Sequence, residues 1–287
     1  MSLKPCILFH LIYFSIIFSA AVIANDPANA SLTFGVFPYL PTRKLEQMYA
    51  PTAARFGELL NVQVKLRTRP DFERFREQVH QQSYDIIFIQ PFDYIRAAAD
   101  NGYLPLARWA RAGNGDNIEG LRAIFVVRAD STVNTLNDLA GKRVATPDKD
   151  AAVSLLGRHA LSSFKLDKKV EIYPINNHIA CLTQVRVKKA AACVTAQPTL
   201  KLFRDHTGAK LRVLYETQHI PSSLFAVHKR IPKAQRELLK NEILSWSADN
   251  TDDKAYLHGG GWSHLHPASD SDYEPVRAIW KVLDSHK

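Results

Sequence analysis

The sequence predicts an α/β protein with two lobes, built on mainly parallel β-sheets. Strand-like and helical patterns alternate from residue 31 to the C-terminal helices, and helices between strands favour parallel sheets with right-handed crossovers. The segment YDIIFIQ (84–90) contains a continuous apolar run, which is typical of a strand buried on both faces. The chain has 287 residues, of which 46% are hydrophobic, so it is long enough for two lobes.

The first group of elements ends at Gly102. Its strands are predicted from alternating or continuous apolar residues, and its helices from apolar residues three and four apart. In the segment 44–61, for example, the helical spacing joins Ala53, Phe56, Leu59 and Leu60. In chain order the elements are strand 31–38, helix 44–61, strand 62–69, helix 72–82, strand 84–90 and helix 92–102.

A second group follows from residue 121 and repeats the alternation. Gly141 ends its first short helix. In chain order the elements are strand 121–130, helix 134–141, strand 142–148, helix 151–164, strand 170–176, helix 178–189, strands 192–196, 211–217 and 222–231, and helices 233–250 and 272–285.

The first 30 residues predict a cleaved secretory signal. Lys4 supplies a positive charge, residues 6–24 are uncharged and strongly apolar, and small residues precede Asn25 and Ser31 where a signal peptidase requires them. An uncleaved membrane anchor is the alternative, because about 18 apolar residues can just span a bilayer. We expect a soluble mature protein in the periplasm.

Removal of the signal leaves two cysteines, Cys181 and Cys193. An oxidising compartment favours a disulfide between such a pair. About seven residues of helix after Cys181 cover ~10 Å, and a return along an antiparallel strand covers a similar distance, so the two sulfurs can meet. Two separate buried thiols are the alternative.

Several functional classes find no support in the sequence. The formal net charge of +9 comes from scattered basic residues that do not alternate with aromatic residues, so nucleic acid is not an expected partner. No glycine-rich phosphate loop and no HExxH motif occurs, and we expect neither a cofactor nor a metal. His258, His264 and His266 lie close together, but their spacing matches no standard zinc pattern.

Six segments are spread over nearly the whole length of the chain after residue 30. They are FGVFPYLP (34–41), YAPTAARFGELLNVQVKL (49–66), YDIIFIQPFDYIRA (84–97), LNDLAGKRVATPD (136–148), NNHIACLTQVRVKKAAACVTA (176–196) and SDSDYEPVRAIWKVL (269–283). In this order they resemble the periplasmic substrate-binding proteins of phosphate, phosphite and phosphonate ABC transporters. The resemblance implies a two-lobed fold of the periplasmic-binding-protein type II class, with a ligand cleft between the lobes.

The resemblance also implies how the chain divides. One lobe would consist of residues 31–121 together with 223–287, and the other of residues 122–222. Two strands, in AIFVVRAD (123–130) and SSLFAVHK (222–229), would cross between the lobes. Closure of the lobes by a hinge motion would enclose the ligand.

The general rule for open sheets and the family resemblance both place the ligand site at the loops that follow the strands. Ligands of open sheets bind beyond the carboxyl ends of the strands, where helix N-termini attract anions. The resemblance implies that Tyr39, Tyr94 and His178 donate hydrogen bonds to an oxyanion. The alternative for each is a structural role, as a half-buried aromatic side chain or a helix cap. Backbone N–H groups near Ala151 and Ala152 are expected to add donors.

The chain departs from the family pattern beside this predicted site. Where the family has a Ser-Thr-Ser-like run that grips the phosphonyl oxygens, residues 148–152 are Asp-Lys-Asp-Ala-Ala. A carboxylate about 4 Å from an anion repels it by about 1–4 kcal/mol. Gln90 stands where the family tends to have a small residue. We therefore expect Gln90, Asp150 and Gln197 to tune the ligand.

The sequence thus predicts a monomeric periplasmic binding protein, not an enzyme, that captures a small oxyanion-bearing solute for the permease of an ABC transporter. One alternative is a sensory input module that binds a ligand or a receptor ectodomain for a membrane kinase. Another is a metal-dependent hydrolase that uses His178 or the C-terminal histidines.

Overall fold

Two β-sheets organise residues 31–110, 120–175, 177–257 and 263–285, which are the residues that this computed structural model describes. The predicted signal, residues 1–30, and His258 lie outside the described residues. The helices are α1 (Thr42–Leu60), α2 (Phe72–His80), α3 (Pro91–Asn101), α4 (Ala152–Ser163), α5 (His178–Arg186), α6 (Gln197–Thr207), α7 (Lys233–Ser245), α8 (Lys254–Leu257) and α9 (Glu274–Asp284). None of these described helices is both long enough and apolar enough to cross a bilayer.

The strands divide between the two sheets. They are β1 (Ser31–Val36), β2 (Gln63–Thr68), β3 (Ile86–Ile89), β4 (Tyr103–Ala110), β5 (Ile124–Arg128), β6 (Arg143–Thr146), β7 (Glu171–Pro174), β8 (Ala192–Thr195), β9 (Leu211–Glu216), β10 (Leu224–His228) and β11 (His264–Pro267). The first sheet has the order β11-β4-β10-β3-β1-β2, and the second has the order β7-β6-β8-β5-β9.

Both sheets are mixed, which corrects the expectation of mainly parallel sheets. β1 is parallel to β2 and β3, and β6 is parallel to β7 and β8. The other neighbouring strands in these sheets are antiparallel. β5 and β10 enter their sheets at the edge where β8 and β3 end, so they run opposite to these neighbours. Alternating strands and helices predict a parallel direction only for strands that a helix connects.

The chain passes between the two sheets in two segments that touch. Leu121 N donates to Ile220 O over 2.7 Å, and Ile220 N donates to Leu121 O over 2.9 Å. A Cβ atom on Gly120 would lie 2.0 Å from Ile220 O, so this approach requires glycine. We expected the strands in 123–130 and 222–229 to cross between the lobes. Instead, β5 and β10 each belong to a single sheet, and the chain passes from one sheet to the other just before each of these strands.

Close packing fixes the helices beside the strands. Under the first sheet, the ring centroid of Phe34 lies 5.5 Å from that of Phe56 and 6.1 Å from that of Phe225. On the second sheet, a Cβ atom on Gly157 would lie 2.8 Å from the side chain of Val194, so α4 approaches β8 closely. Because interiors packed in this way tolerate little displacement, the packing holds these helices in place on the sheets.

Cys181 of α5 and Cys193 of β8 form a disulfide, which confirms the predicted pairing. Their Cα atoms are 5.6 Å apart, and both side chains are fully buried. The bond ties α5, which begins at His178, to the second sheet.

Reduction of this disulfide should lower the free energy of unfolding by about 3 kcal/mol, because the bond closes a short loop and so restricts the unfolded chain. Urea unfolding followed by circular dichroism, with and without dithiothreitol, measures the difference. A protein with both Cys181→Ala and Cys193→Ala is the control, since the reductant should leave its stability unchanged. Equal stability of the wild-type protein in both conditions would contradict the prediction.

Candidate functional site

A cavity of about 330 Å³ lies between the two sheets. Its walls come from residues at or beyond the carboxyl ends of β1, β3, β6 and β8, from the start of β10, and from the first turns of several helices. The first sheet contributes mainly aromatic and aliphatic side chains, and the second contributes helix N-termini. The cavity therefore lies where ligands of open sheets bind.

Six rings on the side of the first sheet form what we call the aromatic wall: Phe37, Tyr39, Tyr49, Phe72, Phe88 and Trp109. Ring centroids are 4.9 Å apart for Phe37 and Tyr39, and 5.3 Å apart for Phe37 and Phe88. Phe72 and Trp109 extend the wall, with centroids 6.1 Å from those of Phe37 and Phe88 respectively. Tilted and edge-on contacts at these distances are the favourable arrangements for rings, so the wall is a continuous apolar surface.

Helices α3, α4, α5 and α6 all begin at the cavity. The N-caps of α3, α4 and α6 are Gln90, Ala151 and Ala196, and none of them makes a side-chain capping hydrogen bond. Ala152 and Val153, the first two residues of α4, line the cavity, and their N–H groups have no acceptor within the helix. Uncapped N–H groups and the positive end of the helix dipole together favour a bound anion.

His178 is the first residue of α5 and also lines the cavity. Asn177 caps this helix by accepting from Ala180 N over 2.9 Å. The Nδ1 atom of His178 lies 2.8 Å from Thr195 Oγ1 at the end of β8, and Nε2 has no hydrogen bond among the described residues. Burial lowers the pKa of His178 to about 4, so the ring is neutral near pH 7.

Tyr39 follows β1 and contributes its hydroxyl to the cavity. This oxygen lies 3.0 Å from the hydroxyl of Tyr49 in α1. Burial raises the pKa of Tyr39 to about 12, so the phenol keeps its proton at physiological pH. Tyr39 is thus a neutral hydrogen-bonding group within the aromatic wall.

Two hydrogen bonds connect the two sides of the cavity at one edge. Arg76 of α2 donates to Asp150 Oδ2 over 2.7 Å, and the side chain of Gln90 donates to the carbonyl oxygen of Asp150 over 2.8 Å. Gln90 Nε2 also lies 2.8 Å from Asp93 Oδ2, which holds the amide in this orientation. We call the Arg76–Asp150 and Gln90–Asp150 contacts the latch.

The comparison with known families decides the classification. Residues 34–273 match the family described as ABC transporter, phosphonate, periplasmic substrate-binding protein. The chain belongs to this family. The resemblance predicted from the six sequence segments is confirmed, as is the class of function, a periplasmic substrate-binding protein.

Individual relatives agree with this family assignment. The phosphonates-binding periplasmic protein of Escherichia coli K12 is 21% identical over 96% of this chain and 85% of its own length. PhnD1 from Prochlorococcus marinus, solved with methylphosphonate, superimposes with a TM-score of 0.74 at 15% identity over 88% of this chain and 98% of its own. A Xanthomonas citri protein solved with ATP, XAC2383, gives 0.72 at 15% identity, with the same coverage. Similar folds in this group therefore hold quite different ligands.

Of the residues predicted from the sequence to bind the ligand, Tyr39, Gln90, Ala151, Ala152 and His178 line the cavity of this phosphonate-family protein. Residues of the aromatic wall other than Tyr39 were missed. Phe37 and Phe88 stand at the ends of β1 and β3, so the signal that marks Tyr39 and Gln90 also applies to them.

Three of the predicted binding groups do not line the cavity: Tyr94, Gln197 and the carboxylate of Asp150. Tyr94 is fully buried one turn into α3, where its hydroxyl donates to Asp270 Oδ1 over 2.9 Å and its ring centroid lies 4.6 Å from that of Tyr273. Gln197 is exposed at the start of α6 and does not line the cavity. The carboxylate of Asp150 is paired with Arg76 in the latch.

Among the described residues, no three His, Cys, Asp or Glu side chains are grouped as a metal site. His264 and His266 of β11 pair through their Nε2 atoms at 2.8 Å.

His178 should make stability depend on pH. Its pKa is lower in the folded protein, so its contribution is complete above the ordinary value of 6.5 and is lost as the pH falls toward 4. At pH 5 the free energy of unfolding should lose at most about 2 kcal/mol from this residue, relative to pH 7.5. Urea unfolding at both values should show a smaller loss for His178→Asn than for wild type. His219→Asn, at an exposed histidine, is the matched control and should lose as much stability as the wild type. Equal pH dependence of the unfolding free energy in all three proteins would contradict the prediction.

Asp150→Asn tests the latch, because it removes the ion pair with Arg76 and keeps the carbonyl that accepts from Gln90. We expect the ratio of open to closed forms to rise about fivefold, since a partly exposed ion pair of this kind is worth up to about 1 kcal/mol. Small-angle X-ray scattering of the ligand-free protein should give a larger radius of gyration. Asp205→Asn, which removes an ion pair within α6, is the control and should not change the radius. Identical radii for all three proteins would argue against the latch.

Proposed function

We propose that this protein captures an organophosphonate in the cavity and delivers it to the permease of an ABC transporter. The observation that carries the proposal is that four helices begin at one cavity in a member of the phosphonate-binding family. The methylphosphonate in the related PhnD1 supports the same ligand class. Family membership also favours transport over the sensory module and over the hydrolase.

Neutral donors would hold the anion. Of the described residues that line the cavity, none is Lys or Arg. The phosphonate oxygens would accept from the N–H groups of Ala152 and Val153 and from Nε2 of His178. Hydrogen bonds to a charged acceptor are about twice as strong as neutral ones, so a few such donors suffice for binding.

Capture would involve a hinge motion of two lobes, residues 31–121 with 223–287 and residues 122–222. The touching passages at Leu121 and Ile220 support a hinge at this point, because they are the direct connection between the sheets. The latch would favour the closed form.

We further propose a monomer that reaches the periplasm after cleavage before Asn25 or Ser31. The family description supports the compartment, and the disulfide is consistent with its oxidising conditions. The intact mass of the protein purified from a periplasmic extract identifies the cleavage site.

Ala152→Pro tests the site with little change to the fold. Proline is well tolerated at the first position of a helix, and the N-cap Ala151, with ψ of 141°, has the conformation that precedes proline. The substitution removes one N–H donor at the cavity. Isothermal titration calorimetry with methylphosphonate should show at least a tenfold weaker affinity, since a hydrogen bond to a charged group contributes about 1.5–3 kcal/mol.

Lys233→Pro is the matched control, because it occupies the first position of α7, whose N-cap Pro232 has ψ of 143°. This variant should bind methylphosphonate as the wild type does. If Ala152→Pro binds as tightly as the wild type, or if the wild type binds no phosphonate, the proposed function is wrong.

A further inference from the structure

The cavity has an apolar side and a polar side. The aromatic wall, together with Leu40 and Met48, forms most of the side that belongs to the first sheet, which also includes Gln90 and Ser223. Asp148, Asn177 and His178 lie on the side of the second sheet, next to the N-termini of α4 and α5. A ligand that contacts both sides must therefore have a polar end and an apolar end.

The volume of the cavity leaves room for the apolar end. Methylphosphonate has five non-hydrogen atoms, and at the roughly 30 Å³ that a water molecule occupies in the liquid they fill about 150 Å³. That is less than half of the 330 Å³ of the cavity. The remaining space adjoins rings and aliphatic groups, so water there gains few hydrogen bonds and is displaced readily by carbon.

The charges in the cavity disfavour an ammonium group at the apolar end. Asp148 is the one carboxylate among the described lining residues, and it lies on the opposite, polar side. A primary ammonium against the aromatic wall would lose its hydration without gaining a carboxylate partner. An uncharged substituent carries no such cost.

We infer that the cavity takes an organophosphonate with an apolar alkyl or aryl substituent. The phosphonate lies at the N-termini of α4 and α5, and the substituent packs against the aromatic wall and Met48. This inference deepens the proposed function and rests on it. Each buried methylene group should strengthen binding about fourfold.

Calorimetric titration with four probes tests the inference: methylphosphonate, n-propylphosphonate, phenylphosphonate and 2-aminoethylphosphonate. The propyl and 2-aminoethyl compounds have the same size and differ by a methyl in place of an ammonium. We expect the propyl and phenyl compounds to bind at least tenfold more tightly than methylphosphonate, and the propyl compound more tightly than the 2-aminoethyl compound.

Met48→Gln tests whether the tighter binding of larger substituents depends on the apolar side of the cavity. Met48 is a partly buried residue of α1, and glutamine has a similar length. The variant should weaken propylphosphonate binding about tenfold, and should weaken it by a larger factor than methylphosphonate binding. Leu238→Gln, at a side chain of α7 that is 47% exposed, is the control and should change neither affinity.

The outcomes separate this inference from the proposed function. If methylphosphonate binds and the propyl compound binds no more tightly, the inference is wrong and the proposed function stands. Tighter binding of the 2-aminoethyl compound than of the propyl compound also overturns the inference, because the wall then recognises a cation. If no phosphonate of any length binds, the proposed function itself has failed.

Discussion

The contact between the two chain passages is the constraint on which the rest of the structure depends. The bridge of Leu121 and Ile220 requires glycine at position 120, and β5 and β10 begin just after it. Strand β10 pairs from its first residue with the end of β3, and β5 pairs from its first residue with the end of β8. The carboxyl ends of β3 and β8 therefore lie near this bridge, and the helices that follow these strands begin at the cavity. The connectivity of the chain creates the cavity, and the side chains only decide its chemistry.

The loop Asp148–Ala152 has a different consequence in three dimensions from the one its composition suggests. The carboxylate of Asp150 pairs with Arg76 at 2.7 Å, so its charge is largely neutralised away from the cavity. Asp148 Oδ1 accepts from Asp150 N over 2.9 Å, which orders the loop before α4. The loop thus supplies a connection between the two sides of the cavity. Repulsion of an anion is reduced to the contribution of Asp148.

Local patterns predicted what depends on neighbours in the sequence. The disulfide joins Cys181 and Cys193 across a single helix-to-strand connection, so it was predicted from the sequence. Tyr39, Ala152 and His178 lie in or just after the loops that follow strands, and they line the cavity. Features that depend on contacts between residues far apart in the chain were not predicted. Tyr94 is one helical turn from the predicted site, and its orientation depends on packing against Tyr273, 179 positions later. The partner of Asp150 is 74 residues away, and strand direction in β5 and β10 depends on the passages between the sheets.

The division of the cavity into polar and apolar sides also bears on release. In the proposed complex, helices of the second sheet supply most of the hydrogen bonds to the phosphonate, and the first sheet supplies mainly apolar contact. The apolar contact stabilises the complex only while the two sides enclose the ligand, because it depends on excluding water. Opening would remove this contribution at once and leave an anion held by a few neutral donors facing water, where such hydrogen bonds are weak. A permease that separates the lobes would therefore weaken binding without having to break an ion pair between the ligand and a cationic side chain.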